Sequence, residues 1–285
     1  MFADFDIRTS ATTIHGTRGG SGPPLLLLHG IPETHLMWRH VAPRLARDFT
    51  VVATDLRGYG ASGTGGAPHS MRALAVDQVE VMAHLGFDRF AVAGHDRGAR
   101  CAYRMALDHR DTVTALAVLD IVPTAEAFAR ADRRFALGFW VWSFLAAPAP
   151  VPETLVSAAP EAFVDHMLDT WGQRPAAFPP EVREAYYEQF RDPERVHAIC
   201  EQYRAAATLD VEHDEADRDT HRLTCPVLAL WSAGGAVDTW YDPLAVWRQW
   251  AADVTGHRVA GGHFLPEEAP GETAAELRGF FSGTR

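Results

Sequence analysis

The sequence predicts an α/β fold, a mostly parallel, doubly wound sheet with a helical cap inserted between two strands. Three observations predict it. Short apolar runs at residues 25–28, 49–53, 90–93 and 113–119 alternate with helix-compatible stretches. From Pro123 to about Arg222 that alternation stops, and helix-compatible segments separated by Pro-rich loops take over. The strand pattern then resumes at residues 227–231 and 258–259. The expected organisation is a core domain of residues 1–122 and 223–285, carrying a cap domain of residues 123–222.

Residues 4–17 alternate in polarity as a strand or hairpin would, and 19–24 form a Gly/Pro turn cluster. Leu25-Leu26-Leu27-Leu28 is continuously apolar, as a strand covered on both faces of a parallel sheet must be. His29-Gly30-Ile31-Pro32 ends it. Residues 38–46 can form a helix and 49–53 a strand. The Gly-rich loop Asp55-Leu56-Arg57-Gly58-Tyr59-Gly60 follows. Ser70 can cap a helix running to Leu85, with Leu74, Val81 and Leu85 on one face and Gly86 ending it. Residues 90–93 and 113–119 are strands, the second ending at Asp120. Helices are expected at 124–134, 135–146, 161–171, 181–190 and 193–208. Pro148-Ala149-Pro150-Val151-Pro152 and Phe178-Pro179-Pro180 read as loops between them. In a doubly wound sheet ligands bind at the carboxyl ends of the strands, which is where His29, Asp96 and Asp120 fall.

The chain has 285 residues, enough for one large domain with an insertion. With 47% hydrophobic and 22% charged residues it has the composition of an ordinary globular protein. A formal net charge of −11 argues against nucleic acid or an anionic membrane as partner. It also means that an anionic substrate needs local positive charge. Cys101, Cys200 and Cys225 are odd in number and widely spaced, so neither a disulfide framework nor a zinc site is expected. The first residues lack the basic head and apolar core of a signal peptide, and the apolar stretch 135–149 is too short to span a bilayer. These features point to a cytoplasmic protein. The 14 histidines show no metal-ligand spacing, and no metal is expected.

Gly94-His95-Asp96-Arg97-Gly98 joins a strand to a helix. A small-x-acid-x-small pentapeptide at such a junction resembles the nucleophile elbow of the α/β-hydrolases, with Asp where many members carry Ser. A plain structural turn with a surface Asp is the alternative. The residue type matters chemically. A carboxylate with an ordinary pKa near about 3.9 is already ionised at neutral pH, whereas Ser needs a base to remove its proton. Attack by Asp on a carbonyl gives a reactive anhydride. Attack on a saturated carbon bearing a leaving group gives an ordinary ester. Carbon–halogen bonds and epoxides are therefore favoured over esters and amides.

His29-Gly30-Ile31-Pro32 resembles the motif that, in Asp-nucleophile hydrolases, supplies an oxyanion-hole N–H from the residue after the Gly. By that resemblance Ile31 gives one N–H and Arg97 the other. Gly261-Gly262-His263-Phe264 lies where hydrolases of this fold keep the general base, and the order nucleophile, acid, His fits the fold.

Taken together the chain resembles the haloacetate dehalogenases of the fluoroacetate dehalogenase type. The matching pieces include Pro32-Glu33-Thr34-His35, the Gly94–Arg100 segment, Leu119-Asp120, Trp142-Ser143-Phe144-Leu145, Tyr203-Arg204 and His263-Phe264-Leu265-Pro266. The resemblance implies hydrolysis of a short 2-haloacid through an aspartyl ester, with Asp96 as nucleophile, His263 as base and Asp120 orienting it. Asp238 is a rival for the orienting role. Arg97 and Arg100, three residues apart at a helix start, suit a carboxylate grip. Trp142 and Tyr203 would bind the leaving halide. No cofactor is implied, the only ligand being a small anionic molecule, and relatives often form homodimers. Fluoride-cleaving members carry a His immediately before the Trp, where this chain has Val141. Chloride and bromide are therefore expected to leave more readily than fluoride. One rival reading is an epoxide hydrolase, which would need a second cap tyrosine such as Tyr186 or Tyr187. Another is a non-catalytic binding protein on the same scaffold.

Overall fold

The computed structural model describes residues 2–284. Eight strands form one sheet: β1 Ala3–Arg8, β2 Thr13–Gly20, β3 Pro24–Leu28, β4 Thr50–Thr54, β5 Phe90–His95, β6 Val113–Leu119, β7 Val227–Ser232 and β8 Val254–Val259. Their order is β1-β2-β4-β3-β5-β6-β7-β8. The β1–β2 and β2–β4 pairs are antiparallel, and every later pair is parallel. This is the α/β-hydrolase fold. The β1–β2 hairpin satisfies the alternation read at residues 4–17.

Leu25–Leu28 shows why a continuous apolar run fits here. Side chains of a strand point alternately to opposite faces. Leu26 and Leu28 enter one buried cluster, with Val92, Ala99 and Leu116. Leu25 and Leu27 enter the other, with Val51, Ala93 and Leu265. The sheet therefore has a core on each side, and β3 and β5 lie in its middle.

Between β6 and β7 the described residues contain helices and no strand. Besides shifted limits such as β8, which starts at Val254 rather than near 258, expected and observed elements differ most in three places. The 38–46 helix is broken into a 3₁₀ turn, His35–Trp38, and a single turn, Ala42–Leu45, because Pro43 needs a helix start at that point. Residues 124–146 form three short helices, Thr124–Ala129, Arg133–Gly138 and Trp140–Leu145, since Asp132 caps a new start by accepting from Arg134 N and Phe135 N. The Pro-rich loop read at 148–152 is in part the first turn of a helix, Val151–Ala158, where Pro152 is tolerated. Beyond these, Pro160–Trp171, Pro180–Arg191 and Pro193–Ala205 follow the expected positions closely. The helix Met71–His84 starts with Ser70 accepting from Ala73 N, as expected. Among the described residues no helix is long and apolar enough to cross a membrane.

Candidate active site

β5 ends at His95 and the helix Arg97–Asp108 begins two residues later, so the chain turns at Asp96, with φ +45°. Holding a non-glycine residue there costs about 1–3 kcal/mol, and the surroundings must impose it. A Cβ on Gly94 would lie 2.4 Å from the Gly98 carbonyl, and one on Gly98 would lie 2.4 Å from Leu28 O. Only glycine fits at either end of so tight a turn. The loop after β3 then meets the Asp96 side chain. Ile31 N–H donates to Asp96 Oδ1 at 3.1 Å, and Oδ2 has no protein partner among the described residues. Gly30 permits that approach, because a Cβ on it would stand 2.5 Å from Asp96 Cβ.

Asp96 is buried, and burial alone would raise its pKa. The opposing charges of His263, His95 and Arg100, with the Ile31 N–H, outweigh that and hold the carboxyl below the ordinary range. It is an anion at neutral pH with one oxygen held and one available.

His263 follows β8. Its Nδ1 lies 2.7 Å from Asp120 Oδ2, and Ser232 N–H donates to Asp120 Oδ1 at 2.9 Å. Asp120 itself has φ +55°, at the end of β6. Asp238 is engaged elsewhere: it accepts from Trp231 Nε1 at 2.8 Å and Gly234 N at 2.9 Å, and pairs with Arg258 at 3.6 Å. The structure thus brings Asp120, not Asp238, to His263. The loop is further fixed by Glu268, which accepts from Gly262 N and Gln173 N, and by His263 N–H donating to Trp171 O.

One pair of groups was not foreseen. His95, fully buried, presents Nδ1 to Glu33 Oε2 and Nε2 to the His263 carbonyl oxygen, each at 2.9 Å. Both partners are acceptors, so both nitrogens must carry protons and His95 is an imidazolium. Burial opposes the charge, but Glu33 above all, then Asp96 and Asp120, push its pKa up to about 9. Its ring centroid lies 4.6 Å from that of His263. A His immediately before the nucleophile is visible in the sequence. Its partner, 62 residues away, is not.

Asp96, Asp120 and His263 open together onto a cavity of about 310 Å³, which Ile31, Arg100, Trp142 and Tyr203 also line. Neither the Trp142 indole N–H nor the Tyr203 hydroxyl has a protein partner among the described residues. Burial and the nearby Asp96 raise the Tyr203 pKa well above its ordinary value, so its hydroxyl stays a donor. Arg100 lies under Trp142, 4.4 Å from its centroid, and donates to Val122 O and Thr124 Oγ1. Arg97 is not among the cavity-lining residues. Its guanidinium lies 4.6 Å from the centroid of Tyr203 and donates to Gln202 O. Arg97 Nε and Nη1 and Arg100 Nε are buried without partners, and no described carboxylate lies within ion-pair distance of either arginine.

Val141 is fully buried and does not line the cavity. Tyr186 and Tyr187 are also away from it, donating to Glu267 Oε1 and Asp165 Oδ1, each at 2.5 Å. Tyr241, which the sequence did not single out, does line it. Among the described residues, His15, His35 and Asp55 are close enough to hold an ion. They lie outside this cavity, and their groups already bond one another and Asp6.

The family model for the α/β hydrolase fold matches residues 23–270. Fluoroacetate dehalogenase of Burkholderia sp is 45% identical over 294 residues, covering 100% of this chain and 96% of that one. Soluble epoxide hydrolase of Corynebacterium sp. (strain C12) is 33% identical over 264 residues, covering 90% and 89%. A solved protein of Nostoc sp PCC 7120, provisionally called an α/β hydrolase, is 48% identical with a TM-score of 0.96, covering 98% of each chain.

Proposed function

The chain belongs to the α/β-hydrolase family, in the group that includes the fluoroacetate dehalogenase of Burkholderia sp, and we propose that it hydrolyses the carbon–halogen bond of short 2-haloacids. The observation that carries this reading is Arg100, a buried guanidinium that lines the cavity with Asp96, has no carboxylate within ion-pair distance and leaves Nε unpartnered, with the buried Arg97 behind it. A buried cation is costly unless it is paired, and a substrate carboxylate would supply the missing charge. A neutral epoxide would not.

Asp96 Oδ2 displaces the halide in line and forms an ester. Oδ1, held by the Ile31 N–H, is the carbonyl oxygen of that ester and becomes the oxyanion when water adds, with the Arg97 N–H as second donor. His263 takes the proton from that water, and Asp120 orients it and stabilises its imidazolium. Arg100 grips the substrate carboxylate at the cavity wall, and Arg97 adds its charge from behind Tyr203. Trp142 and Tyr203 donate to the departing halide. Residues 123–222 act as the cap that brings those two donors over the core, and the fold needs no metal or redox partner for these steps.

Trp142 and Tyr203 are the only halide donors this reading has, because Val141 cannot donate a hydrogen bond and is turned away from the cavity. One missing donor is worth about 1–3 kcal/mol, and about 1.4 kcal/mol is tenfold in rate. Fluoride, the poorest leaving halide, loses most. Halide release measured across fluoro-, chloro- and bromoacetate tests this. Chloride and bromide release should exceed fluoride release at least tenfold. Fluoride release as fast as chloride release would overturn the preference.

Epoxide hydrolysis is the second reading. It is favoured by the Corynebacterium relative and by Tyr203 and Tyr241 both lining the cavity, where two phenols could protonate an epoxide oxygen. An epoxide panel run beside the haloacids separates the two.

A further inference from the structure

The cavity is larger than a haloacetate needs. A two-carbon acid spans only about 2.4 Å from halogenated carbon to carboxylate oxygen. The cavity, at about 310 Å³, falls at the lower end of pockets that enclose drug-sized ligands. Its shape is as informative as its size. Asp96, Arg100 and His263 line it together with Tyr203. From there an aromatic wall runs outward: Tyr203 to Trp142 at 6.5 Å between centroids, Trp142 to Phe139 at 6.0 Å, and Phe139 to Trp240 at 5.0 Å. Ile121, Val122 and Val237 complete an apolar lining. Beside Phe139 the helix Arg133–Gly138 meets the helix Ala236–Trp240, where a Cβ on Gly138 would stand 2.4 Å from Trp240 Cη2.

Tetrahedral geometry says what this annex would hold. In-line attack places the halogen opposite Asp96, and the carboxylate goes to Arg100. Two bonds of the halogenated carbon remain. In a haloacetate both carry hydrogen, and the annex is left unfilled. We propose, resting on the dehalogenase reading above, that the preferred substrates are 2-haloacids with an apolar substituent on the halogenated carbon, an alkyl chain of a few carbons or an aryl ring, lying along the Trp142–Phe139–Trp240 wall. The chemistry is unchanged. An Asp96 oxygen bonds to C2 as the carbon–halogen bond breaks and halide leaves with the electron pair. Water then cleaves the ester at its carbonyl, giving the 2-hydroxy acid and a proton. Only one enantiomer directs its substituent into the annex, and displacement inverts it.

Two measurements on the wild-type protein test this. The first is competitive inhibition of chloroacetate turnover by acetate, butanoate and phenylacetate. Each buried methylene should tighten binding about fourfold. Butanoate should therefore inhibit about tenfold or more better than acetate, and phenylacetate at least as well as butanoate. The second is halide release from racemic 2-chlorobutanoate, which should stop at half conversion and yield the inverted hydroxy acid. Inhibition that is flat or weakens with size overturns the proposal, as does chloroacetate turnover with no turnover of 2-chlorobutanoate. Release proceeding to completion at one rate removes the claim on enantiomers and with it the placement in the annex. Halide release from none of the acids would instead remove the dehalogenase reading itself.

Discussion

Asp120 and Asp238 both follow core strands, and residue type alone cannot separate them. Position does: Asp120 Oδ2 is 2.7 Å from His263 Nδ1, while Asp238 is spent on Trp231 and Gly234. Asp120→Asn should lower kcat about 10³–10⁴-fold, as loss of an orienting carboxylate does elsewhere, and Asp238→Asn less than tenfold. Equal losses in steady-state assays would contradict the assignment. His95 gives a second outcome at this scale. Its pKa is raised to about 9 from an ordinary 6.5, so folding takes up a proton there. The stability it contributes, up to about 3 kcal/mol, is fully present below pH 6.5 and is lost as pH rises through 9. Glu267, pushed up to about 8 by burial and then by Glu33, also binds its proton more tightly when folded, so the slope has the same sign. The melting temperature should fall between pH 6.5 and 9.5, and the fall should be shallower in His95→Gln. That variant should also lose about 3–5 kcal/mol at pH 7 by stranding Glu33. A flat or rising profile in the wild type would contradict the imidazolium. The Glu33–His95 pair was not legible because nothing in a sequence says which of many acids meets a buried His. The Asp96, His263 and Asp120 constellation was legible because its chemistry tolerates few residue types in few places.

Among elements, the elbow is the one with least freedom. Gly98 touches the β3 backbone, so Gly98→Ala must push β3 and the helix Arg97–Asp108 apart. It should cost about 2 kcal/mol or more and reduce kcat, since Asp96 moves with the turn. The capping variant Ser70→Ala should cost about 1 kcal/mol and leave kcat unchanged, because it frays only the start of Met71–His84. Chemical denaturation beside kinetics distinguishes them, and equal effects on kcat would contradict the strained-turn account. The strands were readable because β3 to β7 are buried on both faces and are mostly apolar. The helices between β6 and β7 were readable as a group and less so in their limits. Breaks there depend on one capping acid, Asp132, and on prolines such as Pro152 that can end a loop or begin a helix. Tyr241 escaped notice because it reaches the cavity from the end of the short helix Ala236–Trp240, where the chain leaves the helix and periodicity says nothing about direction.

At the scale of the whole molecule, the proposed haloacid substrate is an anion approaching a protein with net charge −11. Its positive charge toward that anion is local and buried, at Arg97 and Arg100. The long-range field therefore repels what the site attracts. Screening weakens the long-range part first, since the Debye length falls from about 30 Å at 0.01 M to about 8 Å at 0.15 M. Raising ionic strength over that range with a non-halide salt should increase kcat/KM for chloroacetate severalfold and change kcat little. A decrease would mean that the arginines act from a distance. The claim on which the rest depends is covalent, that a side-chain oxygen of Asp96 becomes bonded to the substrate carbon. A single turnover with protein in excess, run in ¹⁸O-water, tests it most directly. The account predicts an unlabelled hydroxyl in the product and one heavy oxygen in the Asp96 carboxylate. A product hydroxyl fully labelled on that first turnover, with Asp96 unlabelled, would contradict it.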